Sequence, residues 1–236
     1  MTKLILTFIL IFVNFSFCFK KLLFNQSLNI ITKRCPFKYR SSQKLYESKN
    51  IDLANDIKEN DFIPNVKVMI NAKNLYNVPD KNGEDFKVVN THELFQNKKI
   101  LLISLPGSFT PTCTSKMIPQ YEKEYDYFIK EKKFDDIYCI TNNDIFVLKS
   151  WFQNMNIKNI KYISDGNSSF TESMNMLVDK SNFFMGMRPW RYVAIIENNI
   201  LVKMFQEKNK QHNIQTDPYE ISSVDNVKQF LISNDL

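Results

Sequence analysis

Residues 106–113 read Pro106-Gly107-Ser108-Phe109-Thr110-Pro111-Thr112-Cys113, and they join two stretches of opposite character. Before them, residues 100–105 form an apolar run of strand length, interrupted only by Ser104, the pattern of a central strand buried on both faces. After them, residues 113–130 suit a helix, with Pro119 expected to kink it. A strand–turn–helix unit of this kind puts Cys113 in the first helical turn. A thiol there feels the positive end of the helix dipole and the free backbone N–H groups, which favours the thiolate. Thr110 adds a hydroxyl three residues before the sulfur. The pattern suits thiolate chemistry better than a packed cysteine.

Working outward, strands and helices alternate. Residues 66–70 alternate like a strand, Asn82-Gly83 signals a hairpin turn, and residues 87–89 follow as a short strand. Residues 91–96 suit a short helix with Thr91 as N-cap. Downstream, residues 136–141 read as a second buried strand. Residues 144–154 read as a helix with Ile145, Leu148, Trp151 and Phe152 on one side. Residues 160–163 give another strand, and Asp165-Gly166 turns into a helix over 169–176. Residues 192–196 and 200–205 flank Asn198-Asn199 as a hairpin. Residues 206–218 are polar and loop-like. A last helix over 223–233 would point Val224, Val227, Phe230 and Leu231 inward. This order predicts an α/β fold, a mixed central sheet flanked by helices.

The octapeptide fits Pro-x-x-x-Thr-x-x-Cys and resembles the active-site motif of the peroxiredoxins. The longer run from Leu105 to Cys113 is similar to their type II, or atypical two-Cys, branch. The resemblance extends from about residue 57 to the C-terminus. It includes Asn143-Asp144 after a strand, Asp165 near another strand end, and Arg191-Tyr192 opening the late hairpin. It implies a thioredoxin-like fold and a thiol peroxidase without metal or prosthetic group. In such an enzyme the Cys113 thiolate attacks the O–O bond of hydrogen peroxide or an alkyl hydroperoxide and becomes a sulfenic acid. Glutaredoxin with glutathione, or thioredoxin, then restores the thiol. The resemblance assigns Arg191 to the sulfur, where a guanidinium stabilises the thiolate and donates to peroxide oxygens, with Arg188 as a competitor. Thr110 is assigned hydrogen bonding to peroxide and sulfur; a Thr at helix entry also commonly bonds only backbone. Pro106 is assigned to shielding the thiol, and it also simply ends the strand. A homodimer is implied as well.

Two departures narrow the mechanism. Cys139 falls inside a predicted central strand, where cysteines pack and stay inert, and no cysteine follows it. That points to a one-Cys enzyme served by an external thiol. Met117 stands where many relatives carry His, so no imidazole assists from that side. His92 and His212, the only histidines, fall in polar or turn segments and read as solvent-facing. Phe183-Phe184-Met185-Gly186-Met187 reads as core, or as a segment beside the active site and dimer interface. A redox sensor or relay built on Cys113 is the alternative from another class.

Composition bounds the rest. The formal charge of +6 would suit nucleic acid, but residues 1–50 alone carry +8, from nine Lys or Arg against Glu47. That leaves −2 for residues 51–236, and the electrostatic case for nucleic acid disappears. Four glycines cannot build a dinucleotide or P-loop motif. Residues 1–19 resemble a secretory signal, with an uncleaved anchor as the other reading. Residues 20–56 continue as a transit peptide and linker, basic and poor in acid. This bipartite leader predicts a plastid of the apicoplast kind, or plain secretion. Cys18 and Cys35 fall within it, so the domain over 57–236 keeps Cys113 and Cys139.

Overall fold

The computed structural model describes residues 56–71 and 86–234. The leader and the Asn82-Gly83 turn lie outside the described residues. Nine strands are described: β1 (Lys67–Asn71), β2 (Phe86–Asn90), β3 (Lys99–Ser104), β4 (Asp136–Thr141), β5 (Lys161–Ser164), β6 (Leu177–Asp179), β7 (Met187–Pro189), β8 (Tyr192–Glu197) and β9 (Ile200–Gln206). Seven of them form one mixed sheet in the order β2-β1-β5-β4-β3-β8-β9. The pairs β3–β4 and β4–β5 are parallel, while β1–β2, β1–β5, β3–β8 and β8–β9 are antiparallel. β6 and β7 pair as a separate ribbon.

The apolar run in β3 has the consequence its composition predicts. Successive strand residues point to opposite faces. Leu101 and Ile103 join one core with Ile137, Cys139, Val193 and Ile195; Ile100 and Leu102 join the other with Tyr138, Ile140, Ala194 and Ile196. Both faces of the central strands are therefore covered, as an α/β sheet requires.

Five helical segments supply the cover: α1 (Thr91–Phe95), α2 (residues 111–131), α3 (Ile145–Asn154), α4 (Ser169–Ser173) and α5 (Val224–Ser233). α2 begins at Pro111, opens into a π-turn over Cys113–Met117, and continues as α-helix over Ile118–Lys123 before a second π-turn over Tyr127–Glu131. The backbone N–H of Ile118 reaches back to the carbonyl of Cys113, five residues away. Pro119 has no N–H to give. The widened turn ends at Met117, two residues before it, so Pro119 falls in the first turn of a fresh α-segment, where the missing donor is tolerated.

α3 is capped by Asp144, whose carboxylate accepts from the N–H groups of Phe146 and Val147 at 3.0 and 2.9 Å. α5 is capped by Ser223. Asn198 and Asn199 both adopt left-handed φ (49° and 68°), which a tight β8–β9 hairpin demands.

Three expectations need correction. Thr91 does not cap α1. Its buried hydroxyl donates to the Pro64 carbonyl (2.6 Å) and accepts from Val66 N–H (3.1 Å), tying the helix to the segment before β1. α4 stops at Ser173 rather than 176, because Asn175 turns left-handed (φ 55°) and lets Met176 N–H bond the Thr171 carbonyl in a Schellman closure. Residues 183–187 are not core: Phe183 is exposed and Phe184 fully so, at the left-handed end of a 3-10 turn.

Candidate active site

The loop between β3 and α2 is held from both sides. Asn143, two residues past the end of β4, accepts from the Ser108 N–H through Oδ1 at 2.8 Å. Thr110 donates its hydroxyl to the Gly107 carbonyl (2.8 Å), and its own carbonyl accepts from Thr114 N–H (3.0 Å). Thr110 thus closes the loop and starts the helix at once. A side chain at Gly107 would meet Arg188 Nη1 at 3.3 Å and Asn143 Oδ1 at 3.4 Å, so only glycine fits without movement there. Phe109 takes a left-handed φ of 59° with its ring half exposed. Pro106 is buried at the strand end.

Cys113 is completely buried beneath this loop. It lies four residues from Met117 on the inner side of the π-turn, and the two sulfurs share one donor. Arg191 Nη1 stands 3.3 Å from Cys113 Sγ and 3.2 Å from Met117 Sδ. Arg191 Nη2 donates to Asp217 Oδ1 at 2.5 Å, and the Tyr219 ring lies 6.0 Å from the guanidinium carbon. The Nε of Arg191 is buried without a partner among the described residues. Only 2% of Arg191 is exposed. Burial opposes its charge, but Cys113 and Asp217 outweigh burial and hold the guanidinium above its ordinary range.

The sheet fixes Arg191 through its neighbour. Trp190 N–H bonds the Met176 carbonyl (2.6 Å), its indole N–H bonds the Glu207 carbonyl (2.9 Å), and its carbonyl accepts from Ser104 Oγ on β3 (3.3 Å). Arg188, three residues earlier, turns to other partners than the sulfur. It donates from Nε to the Met185 carbonyl (2.8 Å) and from Nη1 to Asn142 Oδ1 (3.4 Å), and burial alone pulls it below its ordinary range.

Cys139 sits mid-strand in β4, paired with Ile103 on β3 and Tyr162 on β5. Burial pushes its thiol well up, and the charge at Cys113 adds to this. His92 is half-buried with Nε2 2.6 Å from the Ile63 carbonyl, so it does not face solvent freely. His212 is exposed, its Nδ1 accepting from Asp179 N–H at 2.9 Å. Among the described residues, no group of three or more His, Cys, Asp or Glu side chains is placed to hold a metal ion.

Asp217 and Glu207, which the sequence reading passed over as polar loop, and Tyr219 just beyond that loop carry parts of this site. Glu207 is buried and accepts from the N–H groups of Glu220 and Ser222 and from Ser222 Oγ, at 2.7–2.9 Å, which folds the loop back toward α5. One general signal pointed there: a buried arginine needs a counter-charge. The sequence does not say which acid supplies it.

Comparison with known proteins agrees with this geometry. The Redoxin family matches residues 58–227. A peroxiredoxin of Rhizobium etli is 40% identical over 162 residues, covering 69% of this chain and 86% of that protein. A peroxiredoxin of Synechocystis is 40% identical over 154 residues, covering 65% of this chain and 81% of its own length. The crystal structure of the Plasmodium falciparum antioxidant protein, described as a 1-Cys peroxiredoxin, is 77% identical. It covers 75% of this chain and all of that chain, with a TM-score of 0.71. Reduced Prx3 of Vibrio vulnificus, solved with hydrogen peroxide, is 28% identical over 74% of this chain and 99% of that chain, with a TM-score of 0.62. On these matches and on its thioredoxin-like mixed sheet, the chain belongs to the peroxiredoxins, the thiol-dependent peroxidases of the Redoxin family.

Proposed function

We propose that this peroxidase works by a one-Cys mechanism with Cys113 as the reacting thiol, on hydrogen peroxide and alkyl hydroperoxides. The observation that carries the reading is the Arg191 guanidinium 3.3 Å from the buried Cys113 sulfur. The thiolate gives an electron pair to a peroxide oxygen, the O–O bond breaks, and the leaving oxygen takes a proton to depart as water or alcohol. Arg191 stabilises the negative charge as it moves from sulfur to leaving oxygen. Thr110 holds the loop and offers its hydroxyl oxygen to the incoming peroxide. Pro106 shields the sulfur from water.

An external thiol then reduces the sulfenic acid. Glutaredoxin with glutathione, or thioredoxin, supplies that thiol. The state of Cys139 supports it: the second thiol of the described residues is buried mid-strand and pushed toward its protonated, unreactive form. So does the description of the 77% identical Plasmodium protein as a 1-Cys enzyme. The working domain spans 57–236 and acts as a homodimer. Residues 1–19 and 20–56 carry it through the secretory route to an apicoplast-type plastid, a reading supported by their charge pattern.

Mass spectrometry after one equivalent of peroxide tests the one-Cys mechanism. Sulfenic acid at Cys113, converted by glutathione to a mixed disulfide, is the expected product. A Cys113–Cys139 disulfide as the main product overturns the one-Cys mechanism and leaves the peroxidase intact.

A further inference from the structure

In the proposed mechanism the guanidinium of Arg191 serves two anions, the thiolate formed at Cys113, whose sulfur lies against Nη1, and the Asp217 carboxylate on Nη2. These two partners have different fates. When the thiolate attacks, its electron pair forms the S–O bond, the O–O bond breaks, and the negative charge leaves on the alkoxide or hydroxide. That oxygen is protonated from solvent. Cys113 is then a neutral sulfenic acid, while Arg191 remains buried beside it. A buried charge without a partner is strongly disfavoured. Either another anion holds it, or the sulfenic acid gives up its proton and becomes sulfenate.

Asp217 is built to be that other anion. Its side chain is 39% exposed, so water shares in its solvation while its Oδ1 reaches the buried fork. The strap that carries it, between β9 and α5, is anchored without help from the sulfur. His212 accepts from Asp179 N–H (2.9 Å), and Asn213 N–H donates to the Asp179 carbonyl (2.6 Å). Lys180 Nζ donates to the Ile214 carbonyl (3.3 Å), and Tyr219 Oη donates to Gln120 Oε1 on α2 (2.7 Å). Oxidation at Cys113 removes none of these bonds.

We infer that Asp217 is the permanent counter-ion of Arg191: a positioning residue that keeps the guanidinium seated, and the sulfenic acid neutral, while the sulfur carries no charge. The consequence is protection. Sulfenate is the form whose sulfur attacks a second peroxide, forming another S–O bond as the O–O bond breaks and leaving sulfinic acid and an alcohol or water. An arginine deprived of Asp217 would draw the sulfenic acid toward that form.

The inference rests on Cys113 as the reacting thiol, so its first test needs no turnover. Serine at position 113 imitates the neutral sulfur. Asp217→Asn in a Cys113→Ser background should lower the melting temperature by roughly 2–4 °C more than the same change in the parent, because the two partners of one charge are coupled. Equal drops overturn the inference. The second test counts sulfinic acid formed per turnover, with hydrogen peroxide and glutathione. Asp217→Asn should raise it on the order of tenfold, as a freed opposite charge shifts ionisation, and Asp217→Glu should restore the parent ratio. An unchanged ratio in Asp217→Asn also overturns it. Absence of all peroxide turnover in the parent would instead strike the peroxidase chemistry, and the melting comparison would still decide the counter-ion role.

Discussion

Cys113 and Cys139 are equally shut off from solvent and line the same core, yet their surroundings differ in kind. Cys139 lies in the middle of β4, hydrogen-bonded strands on both sides, and burial pushes its thiol up. Cys113 lies in a widened helical turn, under a loop closed by Thr110, with a guanidinium nitrogen at 3.3 Å. Burial alone therefore does not decide what a cysteine does. In one region it leaves a neutral, packed side chain. In the other it removes water from around a sulfur set against a guanidinium, which strengthens every electrostatic contact there.

The largest way to break this comparison is to exchange the sulfur for oxygen. Cys113→Ser should lower peroxide consumption by at least about a thousandfold, since the hydroxyl is not ionised and the nucleophile is lost. Stopped-flow peroxide consumption reads this directly. Residual activity within tenfold of the parent would mean that the two cysteines had been assigned the wrong way round.

The second way is to remove the cation. Arg191→Ala should slow peroxide attack about a hundredfold, the scale of losing one preorganised donor in a buried site. Arg188→Ala should cost less than about threefold, because that guanidinium bonds Met185 and Asn142 and not the sulfur. Iodoacetamide alkylation of Cys113 across pH gives an independent comparison of the two variants. Equal effects would move the functional arginine or take both away from the sulfur.

These two arginines also mark how much was legible in the chain. The strand–turn–helix around Cys113 was readable because its signals are local: an apolar run, a proline-bounded turn, a cysteine at a helix start. The same holds for α3, where Asp144 and the spacing of Ile145, Leu148, Trp151 and Phe152 all speak within eleven residues. Contacts that close across sequence distance were not readable. Asp217 meets Arg191 from 26 positions away, and Glu207 organises its loop by accepting three hydrogen bonds that no periodicity announces. The core reading of the 183–187 run failed for the opposite reason. Its composition is apolar, but the left-handed Phe184 turns it outward. Met117 read as a missing histidine; in the folded chain its sulfur accepts from the same nitrogen as Cys113.

The smallest effect, and the sharpest test of the inert region, comes from Cys139. Its neighbours on the same face of the sheet are apolar, Leu101 and Ile103 on β3 and Ile137 two positions along β4. Cys139→Ala removes one sulfur atom from this core and should cost about 1 kcal/mol, the lower end of large-to-small substitution in a packed interior. Cys139→Ser keeps nearly the same volume but introduces a hydroxyl into an apolar layer, where an unpaired polar group costs about 1–3 kcal/mol. Serine should therefore melt lower than alanine, although it is the closer match in shape. Both variants should consume peroxide within about twofold of the parent, because neither touches the Arg191 fork and stability changes of this size leave the folded population near complete. Thermal melts and peroxide kinetics on the same preparations separate the two readouts. If serine lost activity in step with its melting temperature while alanine kept it, the hydroxyl would be acting on the nearby thiolate rather than on packing, and β4 would belong to the site.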